Sequence, residues 1–202
     1  KGVVRTIVRA LAATELAACA MFKNLHPAIS PDVFFITSGE LEDRYPDLAP
    51  RDRETEIARA HRTVFIAQIG EKLKSGVPHD GRAPDYDDWS TPSDASHCGL
   101  NGDIVVFNPI LDRSYELSSM GIRVDKAAML KQLELRGASD RLKLLFHKSL
   151  MEDKMPLSIG GGIGQSRLCM LLLQKAHIGE IQASIWPDDM IDACQKHNIP
   201  LL

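Results

Sequence analysis

The sequence predicts an α+β fold, a mixed or antiparallel sheet with helices packed on it, and three observations carry that expectation. Short runs of β-branched and aromatic residues alternate irregularly with segments of helical periodicity. Two of those runs flank Asn108-Pro109-Ile110-Leu111, a connection suited to a hairpin. No regular strand-helix-strand array recurs that would call for an all-parallel sheet.

The first helix is read over 3–22, where Val4, Ile7, Val8, Leu11, Leu16 and Met21 recur at spacings of three and four among many alanines. Val33-Phe34-Phe35-Ile36-Thr37 follows as a short strand, and Ser38 is placed to cap a short helix through Leu41 and Tyr45. Pro50 opens a charged helix over 51–62 with Ile57 and Ala58 as its inner face, and 64–69 reads as a buried strand closing at Gly70. From 75 to 102 glycine, proline, aspartate, serine and histidine dominate and periodicity is lost, the mark of a functional loop or a linker. The hairpin strands are 103–107 and 114–119, the second extended by Gly121-Ile122-Arg123-Val124. Asp125 is an N-cap for a helix through Leu130, Leu133 and Leu135 that stops at Gly137, and Ser139 or Asp140 caps another through Leu142, Leu145 and Leu150. After Pro156, Ile159-Gly160-Gly161-Gly162-Ile163-Gly164 opens an apolar helix from 165 to about 175. Residues 181–186 read as a last strand and the remainder as a polar tail.

Composition excludes several classes of function. A chain of 202 residues with 44% apolar content has material for one sizeable core. With 24 basic against 27 acidic residues, a strongly cationic surface for nucleic acid is not expected. The longest apolar run, 168–173, is far short of the roughly 20 residues that span a bilayer. Cys19, Cys98, Cys169 and Cys194 are scattered without a C-x-x-C pair, which suits a reducing compartment, and no secretory pattern follows Lys1; a cytoplasmic protein is expected.

Chemistry is suggested in three places. The glycine cluster lets a backbone approach a ligand closely, and Arg167 one turn later can pair with a phosphate or stack on a purine. The cluster fails the dinucleotide and phosphate-loop patterns, so a tight turn is the competing reading. If Phe107 pairs with Asp112 in the hairpin, Asp103 lies directly opposite Glu116, and two facing acids repel unless a cation such as Mg²⁺ sits between them. A bulge would instead let both face solvent. Regular alternation also places Ser118 on the face of Glu116, with Arg123 at the strand end. In the long loop, Arg82 precedes Asp85, Tyr86, Asp87, Asp88 and Trp89, a group able to hold an ammonium or to form an ordinary acidic loop. His79 and His97-Cys98 lack metal-ligand spacing and read as structural or incidental.

Five stretches taken in order resemble one family. They are SGELEDRYPDL at 38–48, DYDDWSTPS at 85–93, GLNGD at 99–103, ELSSMGIRV at 116–124 and GGGIGQSRL at 160–168. Together they resemble asparagine synthetase A, the ammonia-dependent aspartate–ammonia ligases, relatives of the class II aminoacyl-tRNA synthetases, whose antiparallel sheet flanked by helices is then the implied fold. The resemblance implies that the aspartate side-chain carboxylate attacks the α-phosphorus of ATP, giving a β-aspartyl-adenylate and pyrophosphate, and that ammonia then displaces AMP. It implies that Gly162, Gly164 and Arg167 belong to the motif that holds ATP, and that Asp103 and Glu116 carry Mg²⁺. Leu117, Ser118 and Ser119 would lie along the nucleotide with Arg123 supporting that wall. Asp87, with Arg82 and Ser119, would face the substrate, Asp87 acting as the base that takes a proton from ammonium.

The motifs that build the dimer and grip the α-phosphate in this family have no counterpart here, so residues 1–202 are expected to be the carboxyl-terminal part of a single catalytic domain. A homodimer is implied by the family, with aspartate, ammonia and ATP as small-molecule partners and neither nucleic acid nor membrane. An aspartyl-tRNA synthetase core is the alternative, opposed by the acidic balance and the 85–93 loop; a regulatory paralogue without catalysis is opposed by retention of Asp103, Glu116 and Arg167.

Overall fold

The protein is described by a computed structural model covering residues 1–93 and 97–202. Five strands, β1 (Phe34–Thr37), β2 (Thr63–Ala67), β3 (Asn101–Asn108), β4 (Arg113–Ile122) and β5 (Ile159–Ile163), form one sheet in that order. The β1–β2 pair is parallel and every other pair antiparallel, so the sheet is mixed at one edge and antiparallel through the centre. Among the described residues there are seven α-helices: α1 (Gly2–Met21), α2 (Ser38–Arg44), α3 (Pro50–His61), α4 (Lys126–Leu135), α5 (Leu145–Met151), α6 (Gln165–Leu172) and α7 (Asp188–Lys196). No helix among the described residues is long and apolar enough to cross a membrane.

Period-2 alternation gives the sheet two apolar faces, and helices cover each. On one, Val4, Val8 and Leu11 of α1 meet Ile104, Val106, Leu117 and Met120, with Leu168 and Leu171 of α6 completing the cluster. On the other, Leu41 of α2 and Ile57 and Ala58 of α3 meet Val64, Ile66 and Val105. A satellite cluster of Val124, Met129, Leu133 and Leu150 joins α4 to α5. Each such side chain removed from water stabilises the fold by about 1.5–3 kcal/mol.

Several boundaries follow their local chemistry. Asp125 caps α4 by accepting from Ala128 N–H, as its sequence position implies. The cap of α2 is Thr37, not Ser38: Thr37 and Glu40 form a reciprocal capping box. The helix expected from 139 to Leu150 is broken at the extended Leu144 into a 3₁₀ segment, Ser139–Lys143, and α5. The glycine run is a strand: β5 pairs Gly160, Gly161 and Gly162 with Gly121, Met120 and Ser119, and α6 ends at Leu172. Residues 181–186 form no strand, and α7 occupies what reads as a polar tail.

The hairpin register departs from expectation, and the departure positions the site. Asn108 pairs with Arg113 and Val105 with Glu116; then a β-bulge intervenes, so that Ile104 pairs with Ser118 and Asp103 with Ser119. Asp103 and Glu116 therefore do not face each other directly. The extra residue turns Leu117 into the core beside α1 and puts Ser118 in line with core residue Ile104. It is Ser119, not Ser118, that shares a face with Glu116 and Asp103.

Candidate active site

The face carrying Asp103, Glu116 and Ser119 is closed by α2 and α3 at the Val64–Val105 end and is crossed at the other end by the long loop. Asp87 forms an isolated antiparallel bridge with Arg123, and flanking backbone bonds from Asp88 N–H to Ile122 O (2.9 Å) and Val124 N–H to Tyr86 O (3.0 Å) lay the loop along the end of β4. Two ion pairs then link loop to sheet. Arg82 donates to Asp103 Oδ2, and Arg123 donates to Asp87 Oδ1 while its guanidinium stacks 3.7 Å from the Tyr86 ring centroid.

Glycines make room for this assembly. A Cβ on Gly121 would lie 2.8 Å from Asn101 Cβ and 3.0 Å from the Asp87 carboxyl, and one on Gly160 would lie 2.8 Å from Arg123 Cζ. Gly162, beside Ser119 in the ladder, faces open space.

Asp103 is 5% exposed and its carboxyl is pushed up to about 6: burial and, less strongly, Glu116 raise it, while Arg82 and the Ser119 hydroxyl favour the charged form. Asp103 Oδ1 is buried without a hydrogen-bond partner. A desolvated carboxylate oxygen of this kind, with a second carboxylate along the same face, fits a divalent cation. Among the described residues no group of three or more His, Cys, Asp or Glu is arranged to hold a metal ion by itself. The donor set thus suits Mg²⁺, which keeps waters and completes its shell with substrate phosphates, better than a metal needing a full protein cage.

Glu116 pairs with Arg167 at 3.3 Å, and both are half-exposed, at 40% and 50% of their side chains. They border an open cavity of about 300 Å³ that Arg51, Glu54 and Arg113 also line. Gly164 is the N-cap of α6, and its N–H donates to Leu117 O (3.2 Å). Asp87 is 3% exposed; burial pushes its carboxyl up, and Arg123 and Arg82 only partly offset that. A buried carboxylate with a raised pKa and a cation at one oxygen can accept a proton at the other.

The structure thus brings Arg82, Asp87, Asp103, Glu116, Ser119, Arg123, Gly162 and Arg167 around one face. Leu117 and Ser118 are corrections: the Leu117 side chain is in the core, and the Ser118 hydroxyl, buried without a partner, borders a small cavity with Val3 and Ile7 of α1. His79 is structural, its Nε2 2.9 Å from Glu54 of α3. Sequence reasoning missed Gln132, fully buried in α4 and bonded to the loop, although a polar residue at helical spacing among Ala128, Met129 and Leu133 was a signal. It also missed His147 and Arg141, which hold Asp85 at 2.9 and 3.0 Å.

Comparison with known proteins extends this picture. An aspartyl-tRNA synthetase from Entamoeba histolytica superposes with a TM-score of 0.62 over 90% of this chain and 39% of that one, at 14% identity. An asparaginyl-tRNA synthetase from the same organism, in complex with asparaginyl-adenylate, gives 0.55 over 83% of this chain and 38% of that one, also at 14%. These likenesses show the class II synthetase fold. An aspartate–ammonia ligase from Ruminiclostridium cellulolyticum is 52% identical over 202 residues, all of this chain and 57% of that protein, and one from Clostridium tetani is 50% identical over the same shares. The chain therefore spans a little over half the length of the curated relatives it matches. Residues 1–198 match the family described as aspartate-ammonia ligase, and with half of all positions identical to its curated members, this chain belongs to that family.

Proposed function

We propose that the protein makes asparagine from aspartate, ammonia and ATP through a β-aspartyl-adenylate, releasing pyrophosphate and AMP, and that residues 1–202 are the carboxyl-terminal part of its catalytic domain. The observation that carries this reading is the meeting of Asp103, Ser119, Glu116 and Arg167 on one open sheet face under a loop that presents Asp87.

In the first step an oxygen of the aspartate side-chain carboxylate bonds to the α-phosphorus and the bond to pyrophosphate breaks. Arg167 is half-exposed with a weak partner, free to swing onto phosphate oxygens as charge builds on the leaving group. Asp103 and Glu116 would hold Mg²⁺, which when bound neutralises phosphate charge. The open floor at Gly162 leaves room for the nucleotide against β5. Arg82, fixed between Asp80 and Asp103, and Arg123, fixed by Asp87 and Tyr86, are cations held in place to orient the substrate.

In the second step ammonia attacks the activated carbonyl and the bond to AMP breaks. Ammonium is not a nucleophile, so a base must take its proton first. Asp87 supplies a carboxylate whose buried setting raises its proton affinity and whose negative charge attracts the cation. The same reading carries a homodimeric assembly and a cytoplasmic location, supported by family membership.

The test is incubation of the intact protein with aspartate, ATP, Mg²⁺ and ammonium, with asparagine and AMP expected together. ADP in place of AMP would refute adenylate chemistry, and charging of tRNA would favour a synthetase.

A further inference from the structure

We propose that Gln132 is a positioning residue for the ammonia step: a buried carboxamide on α4 that fixes the loop presenting Asp87. This rests on the reading of Asp87 as the proton acceptor.

Gln132 is fully buried on α4, where its neighbours on the same face, Ala128, Met129 and Leu133, pack in an apolar cluster. A carboxamide there must find partners or cost free energy, and all of those it finds are loop backbone. Its Oε1 accepts from Trp89 N–H (2.8 Å), and its Nε2 donates to Pro84 O (3.0 Å) and Asp87 O (3.1 Å). Three of the four bonds the group can make are thus spent on residues 84–89. They bracket Asp87 from behind, while Arg123 holds its carboxylate in front.

Gln132 adds to the main-chain bonds that lay residues 86–88 along β4, and differs from the side-chain anchors of the loop. Asp85 is held through its side chain by Arg141 and His147, and Asp88 Oδ1 accepts from Ser90 and Thr91 N–H within the loop itself. Gln132 is bonded to the Asp87 main chain, so a shift of its amide moves the Asp87 Cα. Displacements of about 1 Å from a productive geometry can cost a reaction about 100-fold. Asp103, Ser119 and Glu116 stand on β3 and β4, whose ladder does not depend on Gln132. Loss of the brace should therefore separate the two half-reactions.

Gln132→Glu keeps the shape and the acceptor for Trp89 N–H but, ionised, presents a second acceptor to the Pro84 and Asp87 carbonyls. In the intact protein the expected result is a fall of about 10- to 100-fold in kcat/KM for ammonium, with aspartate-dependent ATP–pyrophosphate exchange within about twofold of wild type. On an Asp87→Asn background the same substitution should lower kcat/KM for ammonium no further. An equal loss in both half-reactions, an unchanged ammonium dependence, or an independent effect on the Asp87→Asn background would each overturn the proposal. Should the variant fail to fold, wild-type amide exchange decides: Trp89 N–H must be as protected as the core of α4, and rapid exchange there removes the brace. A wild type that makes no asparagine, yet protects Trp89, would sink the reading of the reaction and leave the brace standing.

Discussion

Three glycines on one sheet face offer a test in which the structure assigns a different outcome to each. In Gly121→Ala the new Cβ meets Asn101 Cβ at 2.8 Å and the Asp87 carboxyl at 3.0 Å. Asn101 is on the neighbouring strand, and its side chain is committed to Ile69 through Oδ1 (3.1 Å) and Nδ2 (2.8 Å), so it cannot retreat. Overpacking of this kind costs about 1–3 kcal/mol, and Asp87 is pushed from Arg123, so asparagine formation should fall by about 100-fold. Gly160→Ala meets only the far end of Arg123, with Cζ and Nε at 2.8 Å. A flexible guanidinium can move, so stability should change by about 1 kcal/mol or less while activity falls through loss of the Arg123–Asp87 pair. Gly162→Ala meets nothing within 4 Å and should leave stability unchanged or raise it slightly, by about 0.4–1 kcal/mol from reduced unfolded-state entropy. If the nucleotide lies against β5, its ATP KM should nonetheless rise about tenfold, the equivalent of about 1.4 kcal/mol of lost contact. Urea unfolding followed by circular dichroism gives the stabilities, and coupled AMP release gives the kinetics. A Gly121→Ala protein as stable and active as wild type would refute the packing argument, and an unaltered ATP KM in Gly162→Ala would remove the nucleotide from that strand.

Other predictions follow from single residues. Asp87→Asn should lose about 10²- to 10⁴-fold in ammonia-dependent turnover while ATP–pyrophosphate exchange with aspartate persists, since a neutral amide cannot take a proton; full turnover would dismiss Asp87 as the base. Arg167→Ala should slow adenylate formation by about 10²- to 10³-fold with a raised ATP KM and little change in the unfolding midpoint, because its ion pair is half-exposed; pre-steady-state pyrophosphate release would measure it. Burial acts to raise the Asp85 carboxyl, but Arg141 and His147 outweigh it, and the group titrates below its ordinary value. Its stabilising contribution is therefore present above the ordinary carboxylate pKa and lost as pH falls through the lowered folded value. The stability gap between wild type and Asp85→Asn should shrink as pH falls from about 5 to about 3, and a gap that persists in acid would show that charge is not its origin.

Most elements were legible because single residues decide them. Asp125 ends the reach of β4 and starts α4 by capping it, and Pro50 opens α3 at a position where its missing N–H costs nothing. The glycine run misled for a physical reason: strands are recognised by side chains that pack on a pleated face, and β5 has few. It is a strand because β4 supplies the hydrogen bonds and because Arg123 occupies the volume a side chain at Gly160 would fill. α7 was hidden by composition, since Cys194 is its one buried residue. Within the loop, three acids in four residues look interchangeable in sequence. Asp85 binds Arg141 and His147, Asp87 binds Arg123, and Asp88 turns the chain by accepting from Ser90 and Thr91. Only tertiary partners separate those roles.

The bulge in β4, together with a hairpin in which Phe107 pairs with Ser114 and not with Asp112, sets which residues share the face of Asp103. In a regular strand Glu116 and Ser119, three apart, lie on opposite faces. One inserted residue reverses that parity, so Glu116 and the Ser119 hydroxyl come to one side while Leu117 is delivered to the α1 core. Leucine is equally at home on either face of this sheet, so nothing in its identity announces the insertion. The hairpin register sets the electrostatics. Directly opposed, Asp103 and Glu116 would share one rung; displaced along the face, Glu116 raises Asp103 without closing on it, and Ser119 takes the opposing position. In the proposed reaction, that offset is where a hydrated dication and the phosphates it accompanies would sit.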